Sequence, residues 1–192
     1  AMGAEVKVMP ALGTHMPMSD EEKQKFFGGV VPDEDILIHH WQTDTTVLGT
    51  IPEEFVNQIS EGLYSAEIEV EVNHLLGSVG QVVPHEVVGM ANYSKNLFVG
   101  LGGRAMINKS HMLSAICGLE KALGNRDCPA RVLYDYAQQH FIDGKLPVVF
   151  LQTVTTRDGE ELHLNGLYIG DSRVPFEKAC ELAQELTIVH VE

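Results

Sequence analysis

The chain has 192 residues, of which 44% are hydrophobic and 21% are charged, a composition typical of a globular protein with one sizeable core. Its formal net charge of −14 argues against nucleic acid as the principal ligand and against anionic membranes, because both carry negative charge. No apolar run approaches the ~20 residues that cross a bilayer, and no secretion signal opens the chain. We therefore expect a cytoplasmic protein.

The first half of the chain alternates apolar segments with short helices. Residues 5–12 and 35–41 are apolar and predict strands. The sequence Ser19-Asp20-Glu21-Glu22 is a capping box and predicts the start of a helix. A second helix is predicted after Pro52, and the strict alternation of residues 66–72 predicts a strand with one buried face.

The second half predicts longer elements. Asn108 is a candidate cap for a helix through about Leu123, and Asp127 with Pro129 opens another. The buried stripe of the 108–123 helix is predicted to be Met112, Ala115, Ile116 and Leu119.

The turn at 157–159 predicts an antiparallel hairpin, and two elements follow it. They are a helix over about 175–186 and a last strand over 187–191. We predict one α/β domain over residues 1–192, with a mixed, mostly parallel sheet flanked by helices and one antiparallel hairpin near its C-terminal end. The strand-like segments near both ends lead us to expect a domain excised from a longer chain. An odd number of cysteines without CxxC spacing predicts reduced thiols at Cys117, Cys128 and Cys180.

Four residues are candidates for chemistry. His15 follows a predicted strand and Gly13, at the end of a strand where ligands collect in α/β sheets, although a loop histidine that helps to cap the helix is the simpler interpretation. His85 is fixed by Pro84 and followed by Glu86, and a structural histidine is again the simpler interpretation.

Lys95 lies among small residues beside the Gly-rich segment 97–103. Partial burial there would lower its pKa and suit covalent or phosphate chemistry, whereas a solvated loop lysine is the plainer alternative. His111 is predicted in the first turn of the 108–123 helix, where the helix dipole disfavours imidazolium and favours metal ligation. An exposed first-turn histidine is an equally good interpretation.

Taken together, these residues resemble the N-terminal domain of the nickel-dependent lactate racemase family. The segment ALGTHMPMSDEE (11–22) is similar to that family's Gly-Thr-His turn, and VVPHEVVGMANYSK (82–95) to its Pro-His followed ten residues later by the cofactor lysine. His111 lies sixteen residues beyond Lys95, where the family has a histidine ligand. The segment 167–186 is similar to the family's Gly-Asp-then-helix segment.

The resemblance implies a role for each residue. Lys95 would carry the nickel pincer nucleotide, a pyridinium mononucleotide joined through a thioamide, and His111 would bind the nickel. His15 and His85 would be the two general acid/base groups on either side of a small 2-hydroxy acid. The implied activity is racemisation or epimerisation by hydride transfer, since hydride removal gives a stable keto acid whereas proton removal beside a carboxylate is very unfavourable.

Several departures from the family pattern bear on this interpretation. No phosphate and substrate loop of the family's Asp-x-x-Arg type precedes residue 11, and Met16 replaces an arginine. Ala91-Asn92-Tyr93-Ser94 stands where many relatives have Ser-Gly-Gly. The family's C-terminal domain is also missing as a partner, so we expect the chain alone to be inactive. Two alternatives stay open: a zinc-dependent hydrolase built on His15, His85 and His111, and a noncatalytic binding domain of the same fold.

Overall fold

The computed structural model describes residues 3, 5–74 and 77–188. Its helices are α1 (Asp20–Phe27), α2 (Glu53–Ile59), α3 (Arg104–Cys117), α4 (Pro129–Ala137) and α5 (Arg173–Thr187). Its strands are β1 (Thr46–Ile51), β2 (Ile68–Val72), β3 (Gly77–Gln81), β4 (Pro84–His85), β5 (Gly89–Met90), β6 (Val149–Asp158) and β7 (Glu161–Gly170). Two π-helical turns, Asn96–Gly100 and Gln138–Ile142, and two 3-10 turns, Asp33–Asp35 and Leu119–Lys121, complete the described elements.

The strands form three small sheets, and most of their pairings are antiparallel. β1 pairs with β2 and β4 with β5, both antiparallel, while the third sheet has the order β3-β6-β7. Only the β3–β6 pair is parallel among the described strands. The α/β class is confirmed, but the prediction of a mostly parallel sheet is wrong.

Two N-terminal segments that were predicted to be strands of this sheet do not form strands. Residues 5–12 and 35–41 contain no named strand and pair in a single parallel bridge between Val8 and Ile36 among the described residues. Pro10 offers no N–H for a ladder, and Leu37 and Ile38 are exposed, so these apolar stretches have neither the pairing nor the burial of a central strand. A lysine–aspartate pair, Lys7 with Asp35, flanks the bridge at 2.7 Å.

Other local predictions are confirmed. Ser19 and Glu22 form the reciprocal capping box of α1, and β2 buries Ile68, Val70 and Val72. The β6–β7 hairpin turns at Gly159, and α5 packs on the hairpin. Cys117, Cys128 and Cys180 are free thiols, and burial raises the pKa of Cys180 to about 12. The predicted strand over 187–191 falls mostly outside the described residues; Thr187 ends α5.

The third helix differs most from its prediction. It begins at Arg104 rather than Asn108, ends at Cys117, and exposes Met112 and Ile116. The buried stripe instead includes two serines, which the apolar periodicity did not count. Ser114 donates to the Val87 carbonyl at 2.8 Å, and Ser110 accepts the Tyr134 hydroxyl at 2.7 Å. These bonds satisfy the hydroxyls and allow a polar residue to face the core.

Aromatic rings of the core pack against the segment that follows the β4–β5 hairpin. The ring of Tyr93 lies 4.6 Å from Phe150 on β6 and 5.2 Å from Phe176 on α5, centroid to centroid. All three side chains are buried, so residues 82–95 pack directly on the second half of the chain. No helix of the described residues is long and apolar enough to cross a membrane.

Candidate active site around Lys95

His85 lies at the end of a two-residue strand and caps its own turn. It pairs with Gly89 across the β4–β5 hairpin, and its Nδ1 accepts the N–H groups of Val87 and Val88 at 3.1 and 3.4 Å. Because Nδ1 is an acceptor, the neutral ring carries its proton on Nε2. The sequence therefore folds locally so that the Nε2–H of His85 is the group free for other partners.

The environment of His85 keeps the ring neutral. Burial, and next the positive charge of Lys95, lower the pKa of His85 to about 4. Glu86 opposes this shift, while His111 and Arg131 add to it. Because Coulomb interactions weaken with distance, these shifts place His85, Lys95 and His111 in one electrostatic neighbourhood.

The backbone between His85 and Lys95 has two residues in the left-handed region. Asn92 has φ 69° and Tyr93 has φ 57°, and neither is glycine. Such residues cost about 1–3 kcal/mol each and persist only where their surroundings hold them. The Asn92 amide donates to the Gly80 carbonyl at 2.6 Å and accepts from Asn96 at 2.6 Å, while the Tyr93 ring is buried in the core.

A fully buried arginine also holds this loop. Arg131 on α4 donates to the Ser94 hydroxyl at 2.8 Å, to the Met90 carbonyl, and to the Asn92 carbonyl at 3.4 Å. Ser94 in turn donates to Asp135 at 3.4 Å. Residues 90–94 are therefore fixed by charge-assisted hydrogen bonds from a helix more than thirty residues further along the chain.

Lys95 follows this fixed loop and is half-buried. Burial, and next the charge of Arg131, lower the pKa of its amine, which Glu86 partly offsets. Its ammonium makes no hydrogen bond or ion pair with any residue that the structure describes. A partly desolvated amine without a partner has more of its neutral, nucleophilic form at a given pH, as covalent chemistry requires.

His111 lies in the interior of α3, not in the first turn that the sequence predicted. The dipole argument for this residue is therefore wrong, because α3 begins seven residues earlier at Arg104. Its Nδ1 lies 2.6 Å from the Ile107 carbonyl, which can only accept, so Nδ1 carries the proton. The Nε2 lone pair of the neutral ring is then available to a metal ion.

His15 is placed differently. It is exposed in the turn after Leu12, and this turn is tied to the π-helical turn after Lys95 by a 2.8 Å bond from the Gly13 N–H to the Gly100 carbonyl. The positive φ of Gly13 and the nearby Val99 carbonyl both favour glycine there. The charges that shift the pKa of His85 do not include His15. His85, Lys95 and His111 thus share one electrostatic neighbourhood, and the bond from Ser114 to the Val87 carbonyl ties α3 to the His85 turn, whereas His15 is exposed.

The described side chains include no group of three or more His, Cys, Asp or Glu that could hold a metal ion. The zinc site that the hydrolase alternative requires, with His15, His85 and His111 as joint ligands, is therefore not formed by them. A site to which this chain contributes a single nitrogen from His111 does not need such a group.

The sequence interpretation missed the residues that support the site. Arg131, Ser94 and Asp135 were not among the candidates, and the left-handed backbone at Asn92 was not foreseen. One signal was present: Arg131 stands between Ala130 and Leu133 on the apolar stripe of a helix, where an arginine is rarely buried unless it is paired.

Comparisons with known proteins agree with the sequence resemblance. Residues 1–123 match the family described as the lactate racemase N-terminal domain. No curated protein sequence matches the chain. Among solved structures, a protein from Thermotoga maritima is similar over 96% of this chain and 47% of its own, with 28% identity and a TM-score of 0.84.

A second solved structure has the same fold. The lactate racemase apoprotein from Thermoanaerobacterium thermosaccharolyticum is 21% identical, with a TM-score of 0.73, over 94% of this chain and 41% of its own. The chain thus spans less than half the length of either protein. The family match covers well over half of the 192 residues and includes His15, His85, Lys95 and His111. The chain belongs to the lactate racemase N-terminal domain family.

Proposed function

We propose that this chain is the N-terminal part of a racemase or epimerase that acts on a small 2-hydroxy acid. The observation that carries the proposal is the half-buried amine of Lys95, which has no partner among the described residues and whose charge lowers the pKa of His85. The lactate racemase relationship supplies the reaction class. The remainder of the protein would complete the substrate site, so we expect the 192-residue chain alone to be inactive.

The residues present fit a nickel pincer nucleotide. The amine of Lys95 is half-buried with a lowered pKa, as a covalent tether requires. The bond from the Nδ1–H of His111 to the Ile107 carbonyl selects the tautomer whose lone pair is on Nε2, the form that a metal ion binds. Lys95 would hold the nucleotide and His111 would be a nickel ligand. When bound, this group would supply an electrophilic carbon that accepts the Cα hydride of the substrate and returns it.

His85 would move the hydroxyl proton of the substrate. To accept a proton at Nε2, the ring must carry its other proton on Nδ1, which in this structure accepts from Val87 and Val88. The Glu86 carboxylate lies 3.8 Å from Nδ1 and could take the bond from a protonated Nδ1. A bound carboxylate substrate would also raise the pKa of His85 from its low value, which brings the base closer to neutral pH.

His15 would serve as the second acid/base group on the opposite side of the substrate. Inversion requires a proton donor and acceptor for each enantiomer, because the planar keto acid is attacked on one face or the other. In this chain His15 is exposed, so the substrate or the missing part of the protein would have to cover it. That exposure is also the observation that favours the noncatalytic alternative.

The decisive experiment is to express the full-length protein with the enzymes that make the cofactor. We expect stoichiometric nickel and a mass adduct on Lys95, and racemisation of at least one acid in a panel from lactate to sugar acids. Lys95→Arg should abolish the adduct, and Lys109→Arg is the matched control that should keep it. An unmodified Lys95 in protein produced in this way would overturn the proposal.

A second variant separates metal binding from tethering. His111→Ala removes the proposed nickel ligand but leaves the lysine amine in place, so we expect the Lys95 adduct to persist with reduced nickel occupancy. Equal nickel content in His111→Ala and the unchanged protein would rule out His111 as a ligand. The measurements are metal analysis and mass spectrometry of the same samples.

A further inference from the structure

Arg131 is the most completely buried charged side chain in the described part of the molecule. It has no exposed surface, and its guanidinium lies 4.6 Å from the centroid of the Phe176 ring. Burying a guanidinium is costly unless its donors are used. Two of its nitrogens donate to three atoms of one short loop: the carbonyls of Met90 and Asn92 and the hydroxyl of Ser94.

The three acceptors surround the strained part of the backbone. Asn92 and Tyr93 have positive φ, and Ser94 is the residue directly before Lys95. A planar guanidinium can bind several acceptors in a fixed arrangement, which an ammonium group cannot reproduce. Without these bonds the Met90 and Asn92 carbonyls would lose buried partners, and the left-handed conformation would have less to hold it.

Arg131 is itself held from the far side of the loop. The negative charge of Asp135 faces its guanidinium, and Asp135 also accepts from Ser94 and pairs with Arg173 on α5. Arg173 also forms ion pairs with Asp127 and with Glu177, and its Nε lies 3.0 Å from the Glu177 carboxylate. This network belongs to residues beyond 123, the last residue of the family match, so the second part of the chain supports the lysine loop from outside the matched region.

We propose that Arg131 is a positioning residue: it locks the Asn92–Tyr93 turn and thereby fixes where the amine of Lys95 is presented. The assignment rests on the proposed function only in taking Lys95 as the residue that carries the cofactor. Arg131 touches neither the amine nor the proposed substrate, and acts through Ser94 and the two carbonyls.

The same guanidinium tunes the amine through its charge. Burial, and next the positive charge of Arg131, lower the pKa of Lys95, while Glu86 opposes this shift. Lys95 in turn lowers the pKa of both His85 and Glu86. The two effects of Arg131 on Lys95, positioning and charge, can therefore be separated experimentally. Arg131→Lys keeps the positive charge but loses the planar set of guanidinium donors, whereas Arg131→Met loses both.

The test is competitive trace acetylation of Lys95 against pH, followed by mass spectrometry on the unmodified protein. The exposed lysines Lys25 and Lys121 in the same digest are internal references. The plateau rate at high pH measures how accessible the Lys95 amine is, and the pH midpoint of the rate measures the pKa of that amine. We expect Arg131→Lys to raise the plateau several-fold and to raise the midpoint less than Arg131→Met does, because the loop loosens while the charge stays.

Arg131→Met should raise both the plateau and the midpoint. Loss of the neighbouring charge lets Lys95 keep its proton to higher pH, and a midpoint higher by one pH unit lowers the relative rate below the midpoint about tenfold. A folded Arg131→Lys or Arg131→Met protein whose midpoint and plateau both match the unchanged protein would overturn the proposal, since a merely space-filling arginine predicts that result.

Ser94→Ala covers the case in which neither arginine variant folds. It removes one acceptor of the Arg131 guanidinium and changes little volume. We expect amide hydrogens of residues 90–96 to exchange at least tenfold faster than in the unchanged protein, and equal exchange would overturn the proposal.

Both readouts use protein without cofactor, so they are independent of the reaction. If Lys95 responds to Arg131 as expected but never acquires nickel or an adduct, the proposed function fails and the positioning role stands.

Discussion

The loop that carries Lys95 and the turn that carries His15 are both short connections, but they are held in very different ways. Asn92, Tyr93 and Ser94 in the Lys95 loop are buried, and two of them are left-handed. The loop is hydrogen-bonded to β3 and α4, and its Tyr93 ring packs on the aromatic core. The side chain of His15 is exposed, and a backbone bond from Gly13 to the Gly100 carbonyl ties its turn to the π-helical turn after Lys95. The first region is preorganised by the fold, whereas the second depends on what covers it.

This contrast indicates a division of labour within the proposed site. A covalent tether has to present one amine in one place, and the cost of holding a strained backbone is met by packing and buried hydrogen bonds. An acid/base histidine on an exposed turn can move with the substrate or with a covering domain. The following predictions test that difference, beginning with the largest effect.

Gly89→Ala, in the hairpin that precedes the Lys95 loop, should lower the free energy of unfolding severely. Gly89 has φ +75°, and a Cβ there would fall on the Asn125 carbonyl, so left-handed strain and a backbone clash add to about 3 kcal/mol or more. Gly28 in the N-terminal region is the matched control, because it also has positive φ, +59°, but nothing lies within 4 Å. Gly28→Ala should cost about 1 kcal/mol. Chemical denaturation measures both, and similar costs would remove the contrast.

The sequence shows the family pattern around Lys95 but gives no local signal for the hydrogen bonds that hold the Lys95 loop. The types and spacing of His85, Lys95 and His111 match the family pattern, and the roles that this pattern implies for them stay predictions. The surrounding lock was not found, because Arg131 acts through contacts with residues some forty positions away, which leave no local pattern. Long-range packing, rather than local propensity, decides such contacts.

The fold shows the same limit. Capping chemistry at Ser19 and the alternation in β2 are local, and both predictions are confirmed. The stripe of α3 was assigned to the wrong face because Ser110 and Ser114 are buried through bonds to distant residues. The apolar pattern of residues 5–12 predicts a strand, but periodicity cannot tell whether a pairing partner exists, and the structure gives this segment only an isolated bridge from Val8 to Ile36 among the described residues.

Acid should lower the free energy of unfolding through protonation of His85, which lies near Lys95. The folded pKa of about 4 is below the ordinary value of 6.5, so the unfolded chain binds a proton first as pH falls. The contribution of His85 is complete above about pH 6.5 and is lost down to about pH 4, on the order of 1–2 kcal/mol after allowance for its coupling to Glu86.

His85→Asn isolates this titration. An asparagine oxygen can replace Nδ1 as acceptor for Val87 and Val88 but does not ionise in this range, so the fall in stability from pH 7 to pH 4.5 should become shallower. His85→Ala loses the acceptor too and should cost about 1–2 kcal/mol more at every pH. Thermal unfolding against pH distinguishes the variants; an unchanged slope in His85→Asn would assign the acid sensitivity to other groups.

Lys95→Met should raise stability by about 1 kcal/mol. The lysine ammonium is partly desolvated without a partner among the described residues, and methionine fills similar space without that cost. Lys25→Met at an exposed site should change stability by less than about 0.5 kcal/mol. A stabilising substitution at Lys95 would show that the residue is retained at the expense of stability, as functional residues often are. A destabilised Lys95→Met would instead give the amine a structural role.

His15→Ala is the smallest change in stability and the sharpest test of the comparison. The side chain is exposed, so the free energy of unfolding should change by less than about 0.5 kcal/mol. In the full-length, cofactor-loaded protein the same variant should lower the rate of racemisation by about 10²- to 10⁴-fold, as expected for loss of a general acid/base group. The fold-loss in kcat/KM should be equal in both directions, because a variant cannot change the equilibrium constant, and His15 removes a proton from one enantiomer and supplies it to the other. Full activity in His15→Ala would mean that the exposed turn takes no part in the chemistry, and that the second proton comes from outside this chain.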